Sequence, residues 1–138
     1  MCRILSLSGN YKKERAALIF RSFRKLAKDG KVYDGMAKGH RDGWGIGSYL
    51  DDNNVFLLKR PTNALIGKGF KKTVDRVLCD KPNVVISHLR KASTGVKKKD
   101  NSHPFYRDGF LFCHNGTIFN SINIPLRSDF KKNIKGQT

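Results

Sequence analysis

The chain has 138 residues, enough for one domain with a real hydrophobic core. Lys and Arg number 28 against 11 Asp and Glu, a formal net charge of +17, and Glu14 is the only glutamate. No apolar run approaches the roughly 18 residues of a membrane span, the start lacks a signal-like apolar stretch, and an odd set of cysteines (Cys2, Cys79, Cys113) without Cys-x-x-Cys spacing argues against both a zinc site and a disulfide framework.

The expectation is therefore a soluble cytoplasmic protein with neither metal nor cofactor. A field of +17 attracts anions, so incidental polyanion binding is expected. The basic residues are spread along the whole chain, and no zinc-finger spacing or aromatic RNP-like run accompanies them, so a dedicated nucleic-acid function is not. The densest cluster, Lys97-Lys98-Lys99, reads as a solvated loop.

In chain order, Cys2 to Ser8 reads as a strand ending at Gly9-Asn10. A helix follows over Lys12 to Lys28, because Ala16, Ile19, Phe20, Phe23, Leu26 and Ala27 recur at i, i+3, i+4 and i+7 and form one apolar stripe. Arg15, Arg21, Arg24, Lys25 and Lys28 take the other side. Such a basic helix can lie on a membrane; packing on a core is the better expectation. Asp29-Gly30 stops it, with Gly30 expected as a left-handed cap. A glycine-rich loop, Gly35 to Gly43, leads to Trp44 to Leu50, a turn at Asp51 to Asn54, and Val55 to Leu58, together a β-hairpin. A shorter helix fits Lys68 to Leu78, broken at Lys81-Pro82. Val84 to Leu89 is a buried-type strand, Arg90 to Asp108 a long polar loop, and Phe110 to Cys113 a strand closed by His114-Asn115-Gly116. Ile118 to Thr138 is weakly patterned. Paired strands with segregated helices predict an α+β fold with antiparallel sheet.

Four segments carry groups that suit chemistry. Cys2, once Met1 is removed, holds a thiol and a free α-amine whose ordinary pKa values nearly match, so one residue supplies nucleophile and base. His40-Arg41-Asp42-Gly43-Trp44-Gly45 surrounds one tryptophan with small steps that let backbone approach a ligand. Arg90 leaves a buried strand, where a fixed guanidinium suits a carboxylate. In Asn115-Gly116 an amide and a backbone N–H, one step apart, can face one oxygen as an oxyanion hole; Asn-Gly is also a common hairpin turn. His103, between these segments, reads as ordering its loop rather than as a general base.

Taken together and in order, these segments resemble the class II glutamine amidotransferases, the N-terminal-nucleophile family whose glutaminase domain begins with cysteine. The resemblance rests on Met1-Cys2-Arg3-Ile4-Leu5, Gly39 to Ile46, Ser87 to Ser93, Asn101 to Phe105, and Phe112 to Ile118, and spans residues 2 to 118. The Asp-Gly-Trp-Gly form is similar to the short, stand-alone subgroup. The resemblance implies an Ntn-hydrolase-type four-layer α-β-β-α sandwich of two antiparallel sheets, with residues 1–138 as the glutaminase domain. It also implies Cys2, Asn115 and Gly116 as catalytic residues, and Arg90, Ser93, Trp44 and His103 around the substrate, with Arg90 on the α-carboxylate of glutamine. No acceptor for the released ammonia is named by these motifs.

Two departures from the pattern shape the remaining expectations. Met1 must be removed for the amine to act. Family members continue beyond this point into a segment whose Asp pairs with the α-ammonium of glutamine, and this chain stops at Thr138. The domain is thus expected to be truncated at its C-terminus, completed by another chain or a second copy, with Asp129 a weak substitute for the acid. The alternative function is a catalytically incomplete basic module that binds an anionic partner.

Overall fold

The computed structural model describes residues 1–51, 54–116, 125–128 and 132. The order of elements is β1 (Arg3–Ser8), α1 (Lys13–Asp29), β2 (Gly43–Tyr49), β3 (Val55–Arg60), α2 (Gly69–Cys79), β4 (Val84–Arg90), a 3₁₀ turn (Lys99–Asn101), β5 (Phe105–Arg107) and β6 (Phe110–Phe112). One sheet has four strands in the order β1-β4-β2-β3, each pair antiparallel, and β5 and β6 form a second antiparallel sheet. The fold is mixed α+β with antiparallel sheet, as the sequence pattern predicts, and the described residues form two sheets.

The period of two along each strand sorts the faces of the large sheet. Trp44 and Ile46 of β2 and Val85 and Leu89 of β4 join Ala16, Phe20, Phe23 and Ala27 of α1 and Phe70, Val74, Val77 and Leu78 of α2 in one core. Ala16, Phe20, Phe23 and Ala27 of the predicted stripe are therefore spent on the core, as the core-packing expectation has it, while Ile19 stays exposed. Fully burying a side chain such as Phe20 stabilises by about 1.5–3 kcal/mol relative to leaving it exposed. Among the described residues no helix is long and apolar enough to cross a membrane.

The opposite face of β2 is glycine. A methyl on Gly45 would run into the carbonyl of His103 and lie 2.9 Å from Pro104 Cδ, and one on Gly47 would lie 2.9 Å from the Leu111 side chain. The small steps around Trp44 thus admit the His103-Pro104 segment and the second sheet rather than a ligand. This corrects the expectation drawn from the glycine-rich stretch.

Two further differences have local causes. Gly30 ends α1 with extended backbone (φ −60°, ψ 131°) and donates to the Leu26 carbonyl at 3.0 Å, not as a left-handed cap. Glycine is required there for space: a Cβ would lie 2.5 Å from the His40 ring, which folds back over the helix end. The polar stretch from Arg90 to Asp108 is not all loop. It holds the 3₁₀ turn and β5, and Asp108 and Gly109 (φ 48° and 86°) turn β5 into β6. Of the turn from Asp51 to Asn54, residues 52 and 53 lie outside the described residues, as do Asp129 and most of the stretch from Ile118 to Thr138.

Candidate active site

Antiparallel pairing of β1 with β4 sets Arg3 opposite Leu89, so the chain start lies beside the end of β4. Cys2 is half-buried there. Its sulfur sits against the backbone of one residue: the Lys91 N–H donates to Sγ at 3.4 Å, and the thiol donates to the Lys91 carbonyl at 3.5 Å. Its backbone nitrogen donates to Oδ1 of Asn115 at 2.7 Å. Met1 is attached in this chain, so that nitrogen is a peptide N–H standing in for the α-amine that methionine removal would expose. Arg3 anchors the segment from the other side, donating to the carbonyls of Cys2 at 2.9 Å and Lys31 at 2.6 Å.

Asn115 and Gly116 follow β6 and are exposed. Because Oδ1 of Asn115 is taken by Cys2, its Nδ2 points away from that bond. Gly116 adopts φ 156°, and a Cβ there would lie 3.2 Å from His114 Nε2. The Cys2 backbone and the Asn115 amide are thus brought together from positions 113 residues apart.

Arg90, the last residue of β4, is 2% exposed. Its Nη2 donates to the carbonyls of Thr94 at 2.7 Å and Gly95 at 3.2 Å, and its Nη1 to that of Val96 at 3.2 Å. Burial pulls its pKa down, opposed by the neighbouring Cys2 and Asp42; an arginine stays charged regardless. The loop it closes, 91–97, carries Ser93, which is exposed.

Trp44 is 1% exposed and meets Phe70 edge-on, with ring centroids 5.3 Å apart. It packs in the core rather than presenting its ring to a ligand, which corrects its expected place beside the substrate. His103 is 6% exposed, with its ring 4.5 Å from that of His88 and 4.4 Å from that of Phe105. It orders the segment that lies over Gly45.

Three residues here were not assigned a role from sequence. Asp42 has a mostly covered side chain; Oδ2 accepts from the Ala92 N–H at 2.9 Å and Oδ1 pairs with Lys97 Nζ at 2.7 Å. Burial alone would raise its carboxyl, but Lys97 and the Ala92 N–H outweigh it and hold the pKa below the ordinary value. The only sequence signal was its place in Asp-Gly-Trp-Gly. His40 and His88 are the other missed groups, both fully buried. Neither of their ring nitrogens has a protein hydrogen-bond partner, nor does Nδ1 of His103. Burial, foremost, lowers the pKa of His40 to about 4, of His88 to about 3 and of His103 to about 4. The backbones of Met1 and His114 approach His40 and His88 without forming a well-aligned bond. Among the described residues no group of three or more His, Cys, Asp or Glu is placed to hold a metal ion.

The family model for class II glutamine amidotransferases matches residues 1–132. The chain is 32% identical to an uncharacterized protein of Methanocaldococcus jannaschii, over 91% of this chain and 33% of that protein. It is 29% identical to the protein named "Putative glutamine amidotransferase YafJ" of Escherichia coli, over 86% of this chain and 44% of that one. It is 33% identical to the isomerizing glutamine–fructose-6-phosphate aminotransferase of Francisella tularensis, over 57% of this chain and 12% of that enzyme. The chain spans less than half the length of each of these curated relatives.

Proposed function

This chain belongs to the class II glutamine amidotransferases, and from that premise we propose that it hydrolyses the side-chain amide of glutamine with Cys2 as an N-terminal nucleophile. The observation that carries the reading is the 2.7 Å bond from the Cys2 nitrogen to Asn115 Oδ1. It leaves the Asn115 Nδ2 and the Gly116 N–H for a developing oxyanion near Sγ.

In this mechanism Met1 is first removed. The free amine of Cys2 takes the thiol proton, and Sγ attacks the side-chain carbonyl carbon of glutamine. The carbonyl oxygen becomes an oxyanion, held by Asn115 Nδ2 and the Gly116 N–H. The α-ammonium returns its proton to the departing nitrogen as the C–N bond breaks, which frees ammonia and leaves a γ-glutamyl thioester. Water, deprotonated by the same amine, attacks the thioester, and Sγ leaves with the glutamate product released. Of the five N–H groups of Arg90, three go to loop carbonyls. The guanidinium charge held there is what a glutamine α-carboxylate would meet, with Ser93 in the same loop. On this reading residues 1–138 are a glutaminase domain of the four-layer α-β-β-α type, to which the described residues contribute two helices and two sheets.

The test is ammonia release from glutamine, on protein whose mass has been checked for loss of Met1. Turnover that disappears in Cys2→Ala, together with labelling of Cys2 by a glutamine-like electrophile, is the expected result. A second reading, a basic module for an anionic partner, is favoured by the +17 charge alone. Salt-sensitive nucleic-acid binding without ammonia release would select it.

A further inference from the structure

We propose that Asp42 is a positioning residue whose carboxylate clamps both ends of the 91–97 loop, and so sets the Cys2 sulfur and the Arg90 guanidinium together. The inference rests on the glutaminase reading for what the two groups do, and on geometry for the clamp. At the near end, the Asp42 N–H donates to the Arg90 carbonyl at 3.0 Å and Oδ2 accepts from Ala92 at 2.9 Å. The residue between these two is Lys91, whose peptide groups bracket Cys2 Sγ. At the far end, Oδ1 pairs with Lys97 at 2.7 Å. Lys97 directly follows Thr94, Gly95 and Val96, the three carbonyls that cradle Arg90.

The two halves of the clamp differ in strength. The Asp42 side chain is 13% exposed and that of Lys97 is 64% exposed, so the ion pair is screened by solvent. The Ala92 N–H bond is the better shielded half, and leaving that donor without an acceptor is the larger loss. Substitutions separate the two. Asp42→Asn keeps an oxygen for Ala92 and loses the ion pair; Asp42→Ala loses both; Lys97→Met loses only the ion pair.

The experiment measures glutaminase kinetics and amide hydrogen exchange on the full chain. Lys97→Met and Asp42→Asn should each raise the KM for glutamine roughly two- to fivefold and move kcat less. The double variant should be no worse than either single, because both remove the same contact. Asp42→Ala should also lower kcat about tenfold and speed exchange across residues 91–97 about tenfold, with α1 and β2 unchanged. Should Asp42→Ala fail to fold, the pair of single variants and their double still decide. Unchanged exchange across 91–97 in Asp42→Ala, or additive effects in the double variant, overturns the clamp. Wild-type protein that releases no ammonia overturns the glutaminase reading instead, and the exchange measurements then decide the clamp alone.

Discussion

The backbone nitrogen of Cys2 and the side-chain oxygen of Asn115, residues 113 positions apart, are 2.7 Å from each other. This bond orients both partners. It points the nitrogen of the leading cysteine toward the turn after β6, and it commits the oxygen end of the Asn115 amide.

Asn115→Ala removes one oxyanion donor from an exposed position. Glutamine turnover should fall by about 10² to 10³, equivalent to roughly 2.7–4 kcal/mol of barrier, with the fold retained. Steady-state ammonia release and a thermal melt on the same sample check both halves. Near-normal turnover would remove Asn115 from the mechanism.

Arg90→Ala should weaken glutamine binding through two losses: the positive charge that meets the α-carboxylate, and the donor that gathers the Thr94, Gly95 and Val96 carbonyls. KM for glutamine should rise at least about tenfold, in line with the cost of a lost charged hydrogen bond. A γ-glutamyl-like amide lacking the α-carboxylate should be affected far less. Equal losses on both substrates would mean that Arg90 only braces its loop.

Gly45→Ala drives a methyl into the His103 carbonyl and against Pro104. Backbone is the obstacle, so relief requires the second sheet to move, and destabilisation of about 1–3 kcal/mol or more is expected. Gly69→Ala is the contrast: the added Cβ meets only Trp44, at an ordinary 3.5 Å, at the start of α2. That variant should be neutral or slightly stabilising. Urea midpoints of the two proteins make the comparison.

Acid should unfold this protein through its buried histidines. His40 and His103 are lowered to about 4 and His88 to about 3. The folded state therefore resists protons that the unfolded chain takes up from about pH 6.5 downward. The stability held by the neutral rings is complete above that pH and is lost as pH falls from about 6.5 toward 4 and then 3. Each histidine contributes a slope of at most about 1.4 kcal/mol per pH unit in that window. The three should contribute about equally down to pH 4, and His88 alone below it, because burial, foremost, holds its ring neutral to about 3. Thermal melts between pH 7.5 and 4 should show a shallower acid slope in His88→Gln; an unchanged slope would mean the ring takes up its proton elsewhere.

Much of this molecule could be read from local pattern. The stripe from Ala16 to Ala27 has the 3.6 period of a helix, and the apolar run of β4 and the turn between β2 and β3 are equally local, so α1, α2 and β1 to β4 fall within a residue or two of their predicted bounds. Residue type and order along the chain likewise pointed to Cys2, Arg90 and Asn115-Gly116 as one set.

Tertiary structure alone decided what those groups meet. Pairing of β1 with β4 put Cys2 against Lys91. The bare face of β2 proved to be room for His103 and Leu111, and Trp44 turned inward because its side of the same strand faces the helices. Gly30 serves the His40 ring, and Asp42 reaches across to Ala92 and Lys97. Such contacts join residues tens of positions apart. They depend on strand register and on which layer covers which face, and no local periodicity encodes either.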